Sequence, residues 1–167
     1  GCLNFVRLAQ KYNIRPILGV DFRNGVEQQF VAIAADNKGF ESINRRLSYY
    51  LQEEIPIPDT APFEEDEALW IIYPFSKFHV SKSQLKRNEF LGVSPQDLSR
   101  LQFSTWRFRQ EKLVMLQTVT FRHQKDFNTH RLLRAIDKNI ILSKLPKSEE
   151  GSKRNIMYPL ETLIGFY

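Results

Sequence analysis

The stretch from Leu113 to Ile140 constrains the fold of this chain most, because it places a strand pattern and a helix pattern around one charged turn. Residues 113–121 are rich in Leu, Val and Thr and carry no charge, which predicts a strand buried on both faces. The turn 122–125 then leads into an amphipathic helix. We expect an apolar stripe to face the core and a charged side to face solvent; the stripe comprises Phe127, Leu132, Leu133 and Ile136, and the charged side Arg131, Arg134 and Asp137. In α/β proteins, polar groups at such a strand end are where sites are usually built.

A second strong local signal is the pair Asn24-Gly25, since both central residues of a type I′ hairpin turn need positive φ. It predicts that a strand over 15–22 pairs antiparallel with a strand over 26–34. The segment 38–52 carries apolar residues at helical spacing, so we expect this helix to fold back onto the hairpin.

The rest of the chain alternates strand and helix patterns, which favours an α/β fold with one antiparallel hairpin. The acidic segment 53–67 contains prolines and no Lys or Arg, so we expect an irregular surface excursion there. Segment 76–87 shows no clear pattern. The other predicted elements are a helix over 1–12 that ends at Asn13, strands over 68–75 and 88–93, a helix capped by Ser94 that ends near Gln102, and a last helix from about Pro159.

Composition excludes several classes of protein. With 42% hydrophobic and 13% aromatic residues, the chain has the composition of a folded protein. No apolar run approaches the roughly 20 residues needed to cross a bilayer, so we expect no membrane partner. The lone Cys2 allows no internal disulfide, which fits a cytoplasmic location. The sequence also has no Gly-rich phosphate loop and no nucleophile motif.

The net charge of +5 understates how basic most of the surface is, because seven of the 19 acidic residues lie in 53–67, where there is no Lys or Arg. Lys and Arg attract phosphates through counterion release, so a polyanion partner such as DNA is permitted. A solvated surface explains the basic residues equally well. The candidate contacts to nucleic acid are Arg100, Arg107 and Arg109, with Arg45 and Arg46 as further candidates for phosphate.

The histidines and carboxylates show no metal motif. A zinc or two-metal site needs several converging ligands, often with a His-x-His pair, and the sequence has no such pair. We therefore expect His79, His123 and His130 not to be ligands. Asp126 and His130 are four residues apart at a helix start, where we expect Asp126 to cap the helix and His130 to support it. Asp21 follows an apolar run, and it is either an active-site carboxylate at a strand end or a structural carboxylate of the hairpin.

Three stretches, in order, resemble one known domain. Tyr12–Phe22, YNIRPILGVDF, is similar to a strand with the pattern I-K-P-I-I-G-x-E-F. Ala34–Ile43 is similar to A-x-N-x-x-G-(F/Y)-x-N-L, and Thr118–Asn139 to N-D-x-H-(F/Y) followed by D-x-x-x-H-x-x-L-x-A-I. These patterns belong to the polymerase-and-histidinol-phosphatase (PHP) domain of the bacterial replicative DNA polymerase III alpha subunit. The resemblance covers most of the chain.

The resemblance implies an α/β fold that is part of a (β/α)7 barrel, with its first strands and a His-x-His metal motif upstream of Gly1. It also implies ligand positions: Asp21 stands at the family's Glu, and Thr118 and Thr120 stand at its late Asp and His. Two threonines cannot replace an anionic ligand and an imidazole. We therefore expect no catalytic residue and no cofactor in this piece, and zinc or manganese only if the upstream motif completes a site.

We expect residues 1–167 to be one partial domain of a longer chain, because the sequence starts at Gly1 without Met and stops within an apolar run. The resemblance implies a structural region, inactive alone, of a DNA-directed DNA polymerase, a nucleotidyltransferase of DNA replication. The implied partners are the polymerase domains of the same chain, a proofreading subunit and, through the parent enzyme, DNA. Two alternatives stay open: a metal-dependent phosphoesterase or 3′–5′ exonuclease completed by upstream ligands, and a nonspecific DNA-binding module.

Overall fold

The computed structural model describes residues 2–65, 67–78 and 84–167. Its strands are β1 (Gly19–Asn24), β2 (Glu27–Ala34), β3 (Leu69–Pro74), β4 (Glu89–Val93) and β5 (Leu113–Met115). They lie side by side in chain order in one open sheet. β1 and β2 pair antiparallel, as do β2 and β3, whereas β3 with β4 and β4 with β5 are parallel pairs.

The helices agree with the sequence pattern best near the two ends of the chain and after the hairpin. The described residues form α1 (Cys2–Lys11), α2 (Asn37–Gln52), α3 (Leu98–Gln102), α4 (Gln124–Asp137), α5 (Lys147–Glu150) and α6 (Leu160–Phe166). The predicted end of the first helix is confirmed, since Asn13 has a φ of 55°. None of the helices in these ranges has the length and apolar character that a membrane span requires.

The predicted partial (β/α)7 barrel is wrong. The sheet is open, with β1 and β5 at its opposite edges. Barrels of that type are also built from parallel strands joined by helices, whereas β1, β2 and β3 form an antiparallel meander. Between β3 and β4 the described chain forms a 3-10 turn, Phe75–Lys77, in place of an α-helix. The protein is a small mixed α/β domain with an open sheet.

The predicted hairpin is confirmed, but its turn lies one residue further along the chain. Gly25 has a positive φ of 61°, whereas Asn24 is the last residue of β1 and pairs with Glu27. A type I′ turn with Asn24 and Gly25 as central residues is therefore wrong. Asn24 instead uses its side-chain amide, because Nδ2 donates to Ile57 O at 2.8 Å and Oδ1 accepts from Ile57 N at 2.9 Å. These two bonds tie the irregular acidic excursion to the hairpin.

The hydrophobic core lies between α2 and the middle of the sheet. α2 starts at Asp36, whose carboxylate accepts a hydrogen bond from Gly39 N at 2.9 Å and so caps the helix. The rings of Phe22 and Phe30 stack with centroids 4.7 Å apart beneath the helix. The largest fully buried side chains are Phe22, Phe30, Ile43, Ile71 and Leu91.

β5 is shorter and more exposed than its sequence predicts. Only 113–115 pair with β4, and the side of the sheet beyond β5 is an edge, so Met115 is 56% exposed. The prediction of a strand over 113–121 buried on both faces is therefore wrong.

The start of α3 also differs from the sequence prediction, which had Ser94 as the N-cap residue. Asp97 is the N-cap residue of α3, and Ser94 donates its hydroxyl to Asp97 at 2.6 Å.

α4 turns a different face to the core than its sequence predicts. Phe127 is buried, but the other three residues of the expected stripe are exposed: Leu132 50%, Leu133 59% and Ile136 66%. At about 100° per residue, a residue five positions after Phe127 lies roughly 140° away around the helix. The prediction that all four share one buried stripe is wrong for this reason. The side that faces the protein carries Arg131 and Arg134, which bind α5.

Candidate functional site

A polar pocket of about 210 Å³ lies at the carboxyl ends of the parallel strands β3, β4 and β5. Pro74 ends β3, Ser94 follows β4 and Leu116 follows β5, and all three line the pocket. In open α/β sheets, ligand sites usually lie at this edge. The β1–β2 hairpin and the chain after α5 close its sides, and the polar groups include Arg23, Gln28, Asp97, Thr118, Arg154 and Asn155.

Asp21 lies beside this pocket in a hydrogen-bonded cluster. Arg23 Nε donates to Asp21 Oδ2 at 2.8 Å, and Gln28 Nε2 donates to Asp21 Oδ1 at 2.8 Å. A register shift between Phe22 and Arg23 places Arg23 opposite Gln28 in the β1–β2 pair, and such bulges re-aim side chains. Gln28 Nε2 also donates to Thr118 Oγ1 at 3.3 Å. The fold thus joins Asp21 to Thr118, which are far apart in sequence.

Two of the three positions at which the resemblance implies metal ligands are therefore neighbours. Thr120 stays apart, since its N–H donates to Asn155 O at 2.8 Å. Metal sites need several carboxylate, imidazole or thiolate groups that converge. Across the ranges that the structure describes, no three His, Cys, Asp or Glu residues form such a group. Both oxygens of Asp21 already accept from Arg23 and Gln28, so the cluster presents a neutralised carboxylate.

The remaining charged groups of the pocket favour an anionic or polar ligand. Asp97 is buried and accepts from Ser94 N at 3.1 Å and Ser94 Oγ at 2.6 Å, so its carboxylate is used inside the loop. Arg154 is exposed at the pocket, and its guanidinium has no hydrogen bond or ion pair to any described residue. Guanidinium groups bind carboxylates and phosphates well because several N–H donors point in fixed directions.

The predicted contact between Asp126 and His130 does not form in the described chain. His123, and not Asp126, is the N-cap residue of α4, and Asp126 Oδ2 lies 3.3 Å from His123 Nδ1. His130 instead packs on Phe121, with ring centroids 5.3 Å apart. Asp126 thus contacts the N-cap residue of α4, and His130 contacts Phe121 in the segment before the helix. His79 lies outside the described residues.

Two of the three candidate nucleic-acid contacts, Arg107 and Arg109, lie between α3 and β5 beside aromatic rings that sequence reasoning missed. Arg107 Cζ lies 4.4 Å from the ring centroid of Phe108, and Arg109 Cζ lies 5.2 Å from that of Trp106. Arg100 is exposed on α3. The run FSTWRFR interleaves aromatic and basic residues, and this pattern, typical of single-strand binding surfaces, could have identified the rings.

Sequence reasoning also missed Arg23, Gln28 and Arg154 in the polar pocket. Arg23 follows Asp21 by two positions in a strand, which is a local signal for two side chains on one side. Gln28 and Arg154 had no such signal, because their positions depend on strand register and on the path of the chain after α5.

Comparisons with known proteins add no further assignment to this geometry. No protein-family model matches the sequence, and no curated protein matches it.

Proposed function

We propose that this chain is a non-catalytic region of a polypeptide related to the bacterial DNA polymerase III alpha subunit, which it stabilises by packing against the polymerase domains. The ordered resemblance of three stretches supports the relationship. Asp36 and Gly39 in the middle stretch have clear structural roles, since Asp36 caps α2 and Gly39 allows α2 to approach β3. A Cβ atom at Gly39 would lie 2.1 Å from Ala68 O.

The observation that carries the packing role is the outer face of α4. Leu132, Leu133 and Ile136 are all at least half exposed, and they lie next to one another on the helix. Ile141, shortly after the helix, is also exposed, at 62%. Contiguous exposed apolar surface on a folded domain typically marks a contact with another domain or protein.

Ionic contacts on the opposite side hold α4 in this orientation. Arg131 Nη2 lies 3.0 Å from Glu150 Oε1, and Arg134 pairs with Glu149. The Arg134 hydrogen bond holds the pKa of Glu149 below its usual value. If the helix rolled to bury its leucines, these pairs would separate, and the buried Glu150 would lose Arg131 and keep only Lys147 of its own helix as an ionic partner. The apolar face therefore stays outward and available for a second domain.

The Asp21 cluster supports the non-catalytic part of the proposal. The Arg23 guanidinium, 2.8 Å from Asp21 Oδ2, offsets the negative charge with which this carboxylate would attract a metal cation. Arg23 and Gln28 donate to both oxygens of Asp21 and leave a pocket whose exposed charge is the Arg154 guanidinium. We infer that this region contributes contacts to its parent and not phosphoester hydrolysis.

The packing role is tested with Ile136→Ser in both this chain and the longer parent polypeptide. Ile and Ser have similar helix propensities, and Ile136 is 66% exposed, so unfolding of this chain alone should change by less than about 0.5 kcal/mol. In the parent, loss of a buried Ile should cost about 1.5–3 kcal/mol and weaken primer extension. Ile164→Ser, the same substitution at a 62% exposed position of α6 and outside the α4 face, is the matched control and should change neither.

Two outcomes would contradict the proposal. Equal thermal stability and primer extension of the parent with and without Ile136→Ser would mean that the α4 face is not buried there. A metal-dependent 3′–5′ exonuclease or phosphoesterase activity of the parent that disappears with Asp21→Asn would show that this region contributes to catalysis. If the Ile136→Ser parent instead loses only its association with a proofreading subunit, the occupant of the face is that subunit and not the polymerase.

A further inference from the structure

An exposed surface between α3 and β5 combines bare aromatic rings with arginines. We call it the aromatic–arginine patch and define it as Arg100, Phe103, Arg107, Phe108 and Arg109. The side chain of Phe103 is 90% exposed and that of Phe108 is 74% exposed. Nothing in the core requires these rings, because Trp106 alone in this segment is buried. The segment thus anchors itself with Trp106 and leaves two phenylalanines in solvent.

The rings and the arginines are held in a defined arrangement. Arg107 Cζ lies 4.4 Å from the centroid of Phe108, and Arg107 Nη1 donates to Gln102 O at 3.0 Å. Arg107 also lines a shallow groove of about 450 Å³ together with Phe103 and Gln110. Arg107 therefore contacts Phe108 and lines the same groove as Phe103, with part of its guanidinium fixed by the backbone.

The backbone beneath the patch is fixed by Lys112. Its ammonium group donates to the carbonyl oxygens of Lys86, Arg87 and Glu89 at 2.7, 3.0 and 3.3 Å. Lys112 is consequently held against the backbone, and we do not count it among the phosphate contacts. Glu111 is the only acidic residue within 98–112, so the patch has an excess of positive charge.

We propose that the aromatic–arginine patch binds single-stranded nucleic acid, with bases stacked on Phe103 and Phe108 and phosphates contacted by Arg100, Arg107 and Arg109. Every base has a π-face, and single strands expose it, so bare rings next to guanidinium groups are complementary to this ligand. In a duplex the bases stack on each other and offer no free face to the two rings. Aromatic residues and Arg are also common in protein interfaces, so the observation that favours nucleic acid is the excess of positive charge over 98–112, which complements a polyanion.

This inference is independent of the packing role proposed above, since it uses no residue of α4 or of the polar pocket. It also differs from charge-driven DNA binding in general, because it assigns part of the affinity to two uncharged rings. Loss of stacking should weaken binding without a change in salt dependence. Loss of an arginine should weaken binding and also reduce the salt dependence.

The test measures binding of the full 167-residue chain to a fluorescent oligothymidylate of about 15 nucleotides, by anisotropy at several salt concentrations. Phe103→Ala should lower the affinity about tenfold with an unchanged salt slope. Arg100→Gln should lower it and reduce the slope of log K against log salt by about 0.7. Tyr12→Ala, which removes an aromatic ring that is 67% exposed elsewhere on the surface, is the matched control and should bind like the wild type.

Circular dichroism establishes that each variant is folded, and both rings are exposed, so their removal should leave the fold intact. Three results would overturn the proposal. The first is that the oligothymidylate does not bind. The second is that a duplex of equal length binds as tightly as the single strand. The third is that Phe103→Ala and Phe108→Ala are both folded and bind like the wild type. The last result would leave only charge-driven binding and no stacking site.

Discussion

The contact between Gly39 and the start of β3 allows a quantitative prediction. Gly39 lies in the first turn of α2, and a Cβ atom built there would be 2.1 Å from Ala68 O and 3.1 Å from Leu69 Cδ2. The carbonyl of Ala68 already accepts a hydrogen bond from Ala35 N at 2.9 Å, so it cannot turn away without loss of that bond. In Gly39→Ala, the start of α2 must therefore move away from the sheet.

The size of the effect follows from two opposed contributions. Overpacking in a well-packed region costs about 1–3 kcal/mol, and the upper end applies because the atom met at Gly39 is backbone. Against this, Ala is favoured over Gly in a helix by about 1 kcal/mol. The net loss of unfolding free energy is about 2 kcal/mol. For a chain of this size that corresponds to a fall in melting temperature of about 4–8 °C.

Gly165→Ala is the matched control, since it makes the same substitution in α6 where no atom lies within 4 Å of the new Cβ. Thermal and urea unfolding, followed by far-UV circular dichroism, should show a large loss for Gly39→Ala and no loss for Gly165→Ala. The reasoning is refuted if both variants unfold at the wild-type midpoint, because the close approach of α2 to β3 would then not exist in solution.

Three further predictions concern stability. Asp36→Ala removes the N-cap of α2 and should cost about 1 kcal/mol in urea unfolding, whereas Asp36→Asn should retain most of it. Ile43→Ala should cost about 2–5 kcal/mol because Ile43 is fully buried, and a loss below 1 kcal/mol would contradict the core assignment. Hydrogen bonds from Arg134 and Lys147 hold the pKa values of Glu149 and Glu150 below the ordinary 4.5. These carboxylates therefore stabilise the fold above that pH and lose their effect as pH falls through the lowered pKa values. As the pH is lowered to about 3, the melting temperature should fall less steeply for the double variant Glu149→Gln, Glu150→Gln than for the wild type.

Local patterns predicted most individual elements of this protein correctly. The hairpin around Gly25 and the helix α2 depend on residues close in sequence, so turn propensity and apolar spacing were sufficient. α4 shows where such patterns fail. Its apolar residues were identified, but Arg131 and Arg134 face the protein because α5 supplies Glu150 and Glu149 as partners. The position of α5 is a long-range feature that no helical pattern contains.

The candidate sites also differ in whether local sequence or long-range packing determines them. Arg100, Arg107 and Arg109 were predicted from charge alone, and their proximity along the chain keeps them together in space. Asp21 was predicted as a carboxylate at a strand end, but its contact with Thr118 through Gln28 requires the hairpin to lie beside the segment after β5. The expected contact between Asp126 and His130 failed because His123 competes for the carboxylate.

The sequence by itself determined the hairpin, α1, α2, the irregular backbone of the acidic segment and the basic character of the remaining residues, but the prediction that 53–67 is a surface excursion was wrong for Ala61 and Phe63, which are buried in the core. These features depend on interactions between residues a few positions apart, and such interactions are encoded in local spacing and turn chemistry. Only the tertiary structure decided that the sheet is open, that α4 exposes its leucines and that Gln28 joins Asp21 to Thr118. Strand order and helix orientation are set by packing between distant segments, where burial and ion pairing outweigh the preference of any single segment.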